Sequence, residues 1–271
     1  MYLCDVHSHT KISPDSRAEL SAMARAAAAA GLRELCVTDH CDLLDLNGDP
    51  VTDFHWPAAK EQYRTVKAAL GDRLTLRLGL ELGSTPYAPD TARAILAGGG
   101  DELDFVLGSL HNWIGAEGNI DLYNTDFTGD PALARKAVES TLDHTWTLVT
   151  KCPDCYDSLA HVNYPLRYIH RDGIDLSLAD WEDRVRAIFT EVAKTDHAME
   201  VNTHHGLDLD SWPTILRWFK ECGGELVTVG SDAHRPKDVA KGIPEALELL
   251  KAAGFDHVTT FAGRKPITHR L

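Results

Sequence analysis

The sequence contains no apolar run long enough to cross a bilayer, and no basic segment followed by an apolar core near its start. A spanning helix and a secretory leader are therefore not expected, and the cytoplasm, with reduced thiols, is the expected location. Positive charge is scarce: 27 Lys and Arg stand against 41 Asp and Glu, a formal net charge of −14. That balance argues against a nucleic-acid backbone or an anionic membrane as the main partner, because both need a basic surface. A small anionic substrate stays open, since a local cationic pocket or bound metal ions override the global field. Cysteine is sparse: Cys4, Cys36, Cys41, Cys152, Cys155 and Cys222 need not form a disulfide framework in 271 residues. Low-complexity linkers, internal repeats and a Ser or Cys in a nucleophile elbow are also missing. The first two absences predict one domain over residues 1–271, and the third argues against a covalent enzyme.

What is present reads as an alternation of strand and helix. Short β-rich runs lie near Tyr2–Val6, Glu34–Val37, Leu74–Leu80, Phe105–Leu110, Ser158–His161, Ala198–Val201, Leu226–Val229 and Val258–Phe261. Helical patterns lie between them at Ala18–Ala30, Pro57–Leu70, Thr91–Leu96, Pro131–Thr150, Leu178–Lys194, Trp212–Cys222 and Pro236–Ala253. Glycine follows several of these helices, at Gly31, Gly71, Gly223 and Gly254, where a left-handed cap suits it. Such alternation implies a parallel sheet, and around seven units imply an α/β barrel, closed or nearly so. The Gly-, Asn- and Asp-rich stretch 111–130 reads as a loop over the barrel mouth.

Histidine is the abundant residue, with 14 copies. His7 and His9 lie two apart at the end of the first strand, so both imidazoles share a face and form half a transition-metal site. The pattern recurs at later strand ends: Asp39-His40, Glu81, His111, His161, and Asp232-Ala233-His234. In a parallel barrel all these ends open on one face, so residues far apart in the chain converge. Imidazoles mixed with carboxylates, and no thiolates, suit Zn, Mn or Fe. The ligands are too many for one ion and fit two or three, an arrangement suited to phosphate-ester hydrolysis.

Asp5-Val6-His7-Ser8-His9-Thr10 with Ser13-Pro14-Asp15-Ser16 resembles the first motif of the polymerase-and-histidinol-phosphatase (PHP) family. Thr38-Asp39-His40, Gly79-Leu80-Glu81, Gly108-Ser109-Leu110-His111, Ala160-His161 and Gly230 through His234 resemble its later motifs in order. The resemblance implies a distorted (β/α)7, TIM-like barrel with a trinuclear site. The implied ligands are His7, His9, Asp15, His40, Glu81, His111, His161, Asp232 and His234, with Glu81 bridging two ions. Within the family the likeness is greatest to the monofunctional histidinol-phosphatase branch, through Ala160–Tyr168, Met199–Thr203, Cys222–Glu225, Gly230–Pro236 and Gly263–Pro266. It implies hydrolysis of L-histidinol phosphate to L-histidinol and phosphate, a step of histidine biosynthesis, by attack of a metal-bridged hydroxide. Arg167 would hold the phosphate, its planar fork meeting two oxygens at once. Asp232 and His234 are the candidates for proton transfer.

The chain departs from that pattern in two places. Asn163 stands where Asp is usual, and Thr203-His204-His205-Gly206 replaces a Ser-Gly-Leu-Arg type of segment. One expected cation is thereby missing, and His204 or His205 is the candidate replacement in the substrate site. Trp113, two residues past His111 in the mouth loop, is a candidate stacking surface for an imidazole ring. The other tryptophans read mostly as core. Cys152-Pro153-Asp154-Cys155 lacks a second ligand pair and follows a helix, so it reads as structural. Rival readings are a family phosphoesterase acting on a nucleotide or an oligonucleotide end, an amidohydrolase, and a non-enzymatic metal-storage or effector module. Glu81 at the third strand, where many amidohydrolases carry a carboxylated lysine, argues against the second, and the full ligand set against the third.

Overall fold

The structure, a computed structural model, describes residues 1–271. Its main sheet is parallel throughout. The strands are β1 (Cys4–Asp5), β2 (Glu34–Val37), β3 (His40–Asp42), β4 (Thr75–Gly83), β5 (Phe105–Ser109), β6 (Ser158–Leu159), β7 (Ala198–Asn202) and β8 (Val227–Gly230). Their order is β1-β2-β4-β5-β6-β7-β8, and β3 resumes the path of β2 along β4, with His40 opposite Glu81. The last seam closes by backbone bonds past the strand ends: the Val6 amide donates to the Val229 carbonyl at 3.0 Å, and the Asp232 amide to the His7 carbonyl at 2.9 Å. Asp5 reinforces this seam, its buried carboxylate accepting from the Ser231 amide and hydroxyl and from the Ala240 amide. The outcome is the expected distorted seven-stranded TIM-like barrel.

Helices pack around it: α1 (Leu20–Ala29), α2 (Trp56–Leu70), α3 (Pro89–Gly99), α4 (Pro131–Lys151), α5 (Tyr164–Arg171), α6 (Glu182–Lys194), α7 (Trp212–Glu221) and α8 (Ile243–Ala252). Each turns an apolar stripe to the sheet; α7 buries Trp212, Ile215, Leu216, Trp218 and Phe219. Start signals act where the sequence carries them. At α4, Pro131 fills the first turn, where a missing amide costs nothing, and the Asp130 carboxylate caps the Leu133 amide at 2.9 Å. At the end of α1, Gly31 takes a left-handed φ of 81°, and the Leu32 amide reaches back to the Ala27 carbonyl.

Three expectations are corrected. Val258–Phe261 is not a barrel strand. It belongs to β9 (His257–Ala262), which pairs antiparallel with β10 (Lys265–Arg270) through a two-residue turn at Gly263-Arg264, both with positive φ. The turn is anchored just before β5 and β6, at the end of the barrel opposite the site. The Gly263 amide donates to Asp104, and the Arg264 guanidinium pairs with Asp157 at 3.0 Å. The last helix begins at Ile243 rather than Pro236, because Gly242 sits at φ 76° and interrupts it. Finally, Tyr164–Arg171, read as a motif without a helix, forms α5.

The stretch 111–130 does form the mouth loop, with only short 3-10 turns. Arg171 of α5 pins it by donating to the Tyr123 and Thr125 carbonyls. Of the tryptophans, Trp56, Trp181, Trp212 and Trp218 are buried, whereas Trp146 is exposed. Cys152 and Cys155 are buried free thiols, and burial pushes the Cys155 thiol up to about 12, consistent with a structural role. No helix is long and apolar enough to cross a membrane.

Candidate metal centre

The strand ends, and the loops that follow them, bring all nine candidate ligands together. Glu81, buried on β4, is the hub. Its Oε1 lies 2.9 Å from His161 Nε2 and 3.1 Å from His111 Nε2, and its Oε2 lies 3.1 Å from His7 Nε2 and 2.9 Å from His40 Nδ1. The two oxygens of one carboxylate thus face different imidazole groups, the geometry of a bridging ligand. Asp232 divides its oxygens similarly. Oδ1 faces His9 Nε2 at 3.3 Å and His7 Nε2 at 3.6 Å, while Oδ2 accepts from Arg167 at 3.2 Å. The rings of His40 and His234 flank that of His9, with centroids 4.2 and 4.1 Å away, and Asp15 Oδ2 lies 2.9 Å from His234 Nε2.

Four overlapping groups have ligand atoms within 4.8 Å of one another: His7 with Glu81 and His161; His7 with His9 and Asp232; His40 with Glu81 and His111; and His9 with His40 and His234. The tautomers are set from behind. His7 Nδ1 donates to Glu200 at 2.6 Å, His9 Nδ1 to Ser13 Oγ at 3.2 Å, His111 Nδ1 to Asp42 at 2.7 Å, and His234 Nδ1 to the Asp232 carbonyl at 3.0 Å. With Nδ1 so engaged, each neutral ring presents the Nε2 lone pair inward. His9 Nε2, His234 Nε2 and His40 Nδ1 are buried and make no hydrogen bond despite the nearby carboxylates. Close nitrogen–oxygen approaches without hydrogen-bond direction are what ligands aimed at a common point produce, so the residues fit divalent metal ions.

The electrostatics agree. Burial favours a neutral Glu81, but His7, His40 and His111 outweigh it and hold the carboxyl well below its usual range. Burial likewise lowers His7, yet the Glu200, Glu81 and Asp232 carboxylates raise it well above its usual value. His9 goes the other way, lowered by burial and then by His234 and His40. Unpaired, a buried carboxylate such as Glu81 costs several kcal/mol. The cluster is therefore compensated by protons on its imidazoles or by metal cations.

The cluster floors a cavity of about 620 Å³. Arg167 on α5 lies along one wall, its Nη2 donating to Asn202 at 2.8 Å and its guanidinium 5.5 Å from the centroid of the Tyr164 ring. His204 and His205 line the same cavity, both with left-handed φ, 44° and 57°. Two successive non-glycine residues there store strain of about 1–3 kcal/mol each. It is held by the His204 amide donating to Asn202 Oδ1 and the His205 amide to the Ser231 carbonyl. Burial, then Arg167, brings His204 down to about 4. That direction favours an uncharged, hydrogen-bonding ring at neutral pH. Asn163 is buried and donates to Asp208 at 2.6 Å. Trp113 does not line the cavity; Tyr164 and Tyr168 of α5 do.

Imidazoles and carboxylates gathered at the C-terminal mouth of a closed parallel barrel define the class, a barrel metallohydrolase. The chain belongs to the PHP domain family, whose model matches residues 5–204. It is 27% identical to the histidinol-phosphatase of Lactococcus lactis, over 96% of this chain and 95% of that one. It is also 27% identical to a probable histidinol-phosphatase of Thermotoga maritima, over 99% and 100%. Among solved structures it resembles the Lactococcus lactis histidinol phosphate phosphatase complexed with Zn, L-histidinol and phosphate, with a TM-score of 0.84, 26% identity and 98% of each chain covered.

Sequence reasoning missed the residues behind the ligands. Glu200 and Asn202 on β7, Asp42 on β3 and Asp39 are the main ones; Asp39 receives the Ser13 hydroxyl that in turn holds His9. A signal existed for Glu200 and Asn202, two polar residues alternating inside the apolar strand Ala198–Asn202, which place both side chains on the inner face. Gly230 belongs to the same arrangement. A Cβ there would meet His7 Cβ at 2.3 Å and Glu200 Oε1 at 2.6 Å, so only glycine lets β8 pass this pair.

Proposed function

We propose that the protein is a metal-dependent phosphomonoesterase that hydrolyses L-histidinol phosphate to L-histidinol and phosphate. The observation that carries the reading is the placement of Arg167 beside Asp232 Oδ2, at the edge of the Glu81-centred cluster. A phosphate there meets the guanidinium fork on one side and the cluster on the other. Full-length similarity to histidinol-phosphatases supports the substrate.

His7, His9, Asp15, His40, Glu81, His111, His161, Asp232 and His234 would hold two or three divalent ions, Zn, Mn or Fe by their ligand chemistry. Such ions supply Lewis-acid charge to the phosphoryl oxygens and acidify water. Arg167 binds and orients the phosphate, and its fixed charge meets negative charge building on the equatorial oxygens. His204 and His205 offer neutral hydrogen bonds at the same wall. Burial opposes ionisation of Asp232, but His7, His9, His234 and Arg167 outweigh it and keep it ionised. It has no proton to give at the outset. Its Oδ2, turned toward Arg167, accepts a proton from the attacking water and then passes it to the leaving alcohol of histidinol. His234, with Nδ1 committed to a carbonyl, serves as a ligand in this scheme. Histidine biosynthesis is the setting that the product implies.

The test is a phosphate-release screen of purified protein with L-histidinol phosphate beside nucleotides and sugar phosphates. Preference for L-histidinol phosphate supports the reading; strong preference for a nucleotide overturns it.

A further inference from the structure

Beyond Arg167 the cavity changes character. Tyr164 and Tyr168, one helical turn apart on α5, lie with ring centroids 5.1 Å apart, and Tyr168 meets Tyr123 of the mouth loop at 5.7 Å. The Tyr123 amide in turn donates to Asp121 Oδ1 at 2.7 Å. The rings of Tyr164, Tyr168 and Tyr123 thus form a chain along the wall, and Asp121 is held by the backbone of its last member. This carboxylate is only 4% exposed, yet it lines the cavity. Its Oδ2 has no hydrogen-bond partner in the protein, and no Lys or Arg pairs with it. The neighbouring cations are committed elsewhere: Arg167 to Asp232 and Asn202, Arg171 to Asp172 and two carbonyls, and His111 to Asp42.

A buried carboxylate without a cation is costly unless a ligand supplies one. The cavity is therefore bipolar. Its inner end suits a phosphate, and Asp121, one of several aspartates on the cavity wall with Asp42, Asp45 and Asp53, is the one beside the aromatic faces of α5, which suit a ring or an ammonium group. We propose that Asp121 is the specificity residue that binds the cationic end of the substrate, its ammonium or protonated imidazole, with Tyr164 and Tyr168 packing against the carbon skeleton between the two ends. This assignment rests on the proposed substrate. It makes the enzyme selective for amino-alkyl phosphates over neutral phosphate esters of similar size.

The experiment compares the wild type with Asp121→Asn, which keeps the side-chain shape and the acceptor for the Tyr123 amide. Two substrates are used, L-histidinol phosphate and 4-nitrophenyl phosphate, which has an aromatic ring and no cation. L-histidinol and inorganic phosphate are also measured as inhibitors. Loss of a charge-assisted contact predicts a KM for L-histidinol phosphate and a Ki for L-histidinol that rise about tenfold or more. The Ki for phosphate and the kcat/KM for 4-nitrophenyl phosphate stay within about twofold, since neither ligand gives Asp121 a cation to bind. An unchanged KM, or a parallel fall for both substrates, overturns the assignment while leaving the proposed substrate standing. A wild type that cleaves 4-nitrophenyl phosphate but not L-histidinol phosphate overturns both.

Discussion

Glu200 accepts a hydrogen bond from His7 Nδ1 at 2.6 Å, with neither side chain exposed to solvent. The two residues lie on opposite sides of the barrel seam and 193 positions apart in the chain. The bond fixes the ring so that Nε2 faces Glu81 and Asp232. Glu200→Gln keeps the shape but removes the charge that supports the imidazole. Metal affinity is expected to fall about 10- to 100-fold, measured by metal retained after dialysis, with the fold intact by circular dichroism.

Glu81 is the hub, so its loss should cost more than that of a peripheral ligand. Glu81→Gln is expected to reduce bound metal by more than one ion per chain and to lower turnover at least about a thousandfold, a scale set by removing charge from a preorganised centre. Asp15→Asn, at the exposed rim, should cost less of both. Elemental analysis beside a phosphate-release assay checks the order.

Arg167→Lys keeps a positive charge but not the planar fork. A rise in KM and in the phosphate inhibition constant of about tenfold or more is expected, because a point charge cannot meet two oxygens at once. Arg167→Ala should be worse, since it also leaves Asp232 and Asn202 without their donor. Steady-state kinetics with phosphate as inhibitor measures both.

The metal-free protein should lose stability as pH rises. His7, His40 and His111 have folded values held above their ordinary 6.5, with burial opposing the shift and neighbouring carboxylates outweighing it. Groups raised in this way contribute stability that is complete below 6.5 and is lost as pH climbs through the folded values. Above that range the buried carboxylates of Glu81 and Asp232 lose their protonated partners. The Tm of chelated protein is therefore expected to fall as pH rises above 6.5, while metal-loaded protein holds steady because cations replace the protons. Parallel melts with and without chelator test this.

Much of the candidate site was legible because side chains able to bind metal are a restricted alphabet at predictable places. His7 and His9 alternate just past β1, His40 opens β3, Glu81 lies near the end of β4, and His111, His161, Asp232 and His234 follow β5, β6 and β8, so topology brings them together. The residues behind them were harder to read. Asp42 and Asp39 act only through contacts with His111, Thr10 and Ser13 that the sequence does not display, and Glu200 was marked only by its alternation with Asn202. Helix α5 was missed because it is only eight residues long and opens with Tyr164-Pro165, so its periodicity is brief. The β9–β10 hairpin was misplaced because an apolar strand after a helix fits the barrel repeat. Only the Gly263-Arg264 turn distinguishes it. Trp113 was proposed from nearness to His111 in sequence, but the loop turns it away and α5 supplies the aromatic wall instead.

The most direct measurement of the central claim is phosphate release from L-histidinol phosphate by purified protein, before chelation, after chelation, and after readdition of Zn or Mn. Turnover that disappears with the metal, returns with it, and fails to return in Glu81→Gln is the predicted result. Turnover that survives complete metal removal would contradict the account.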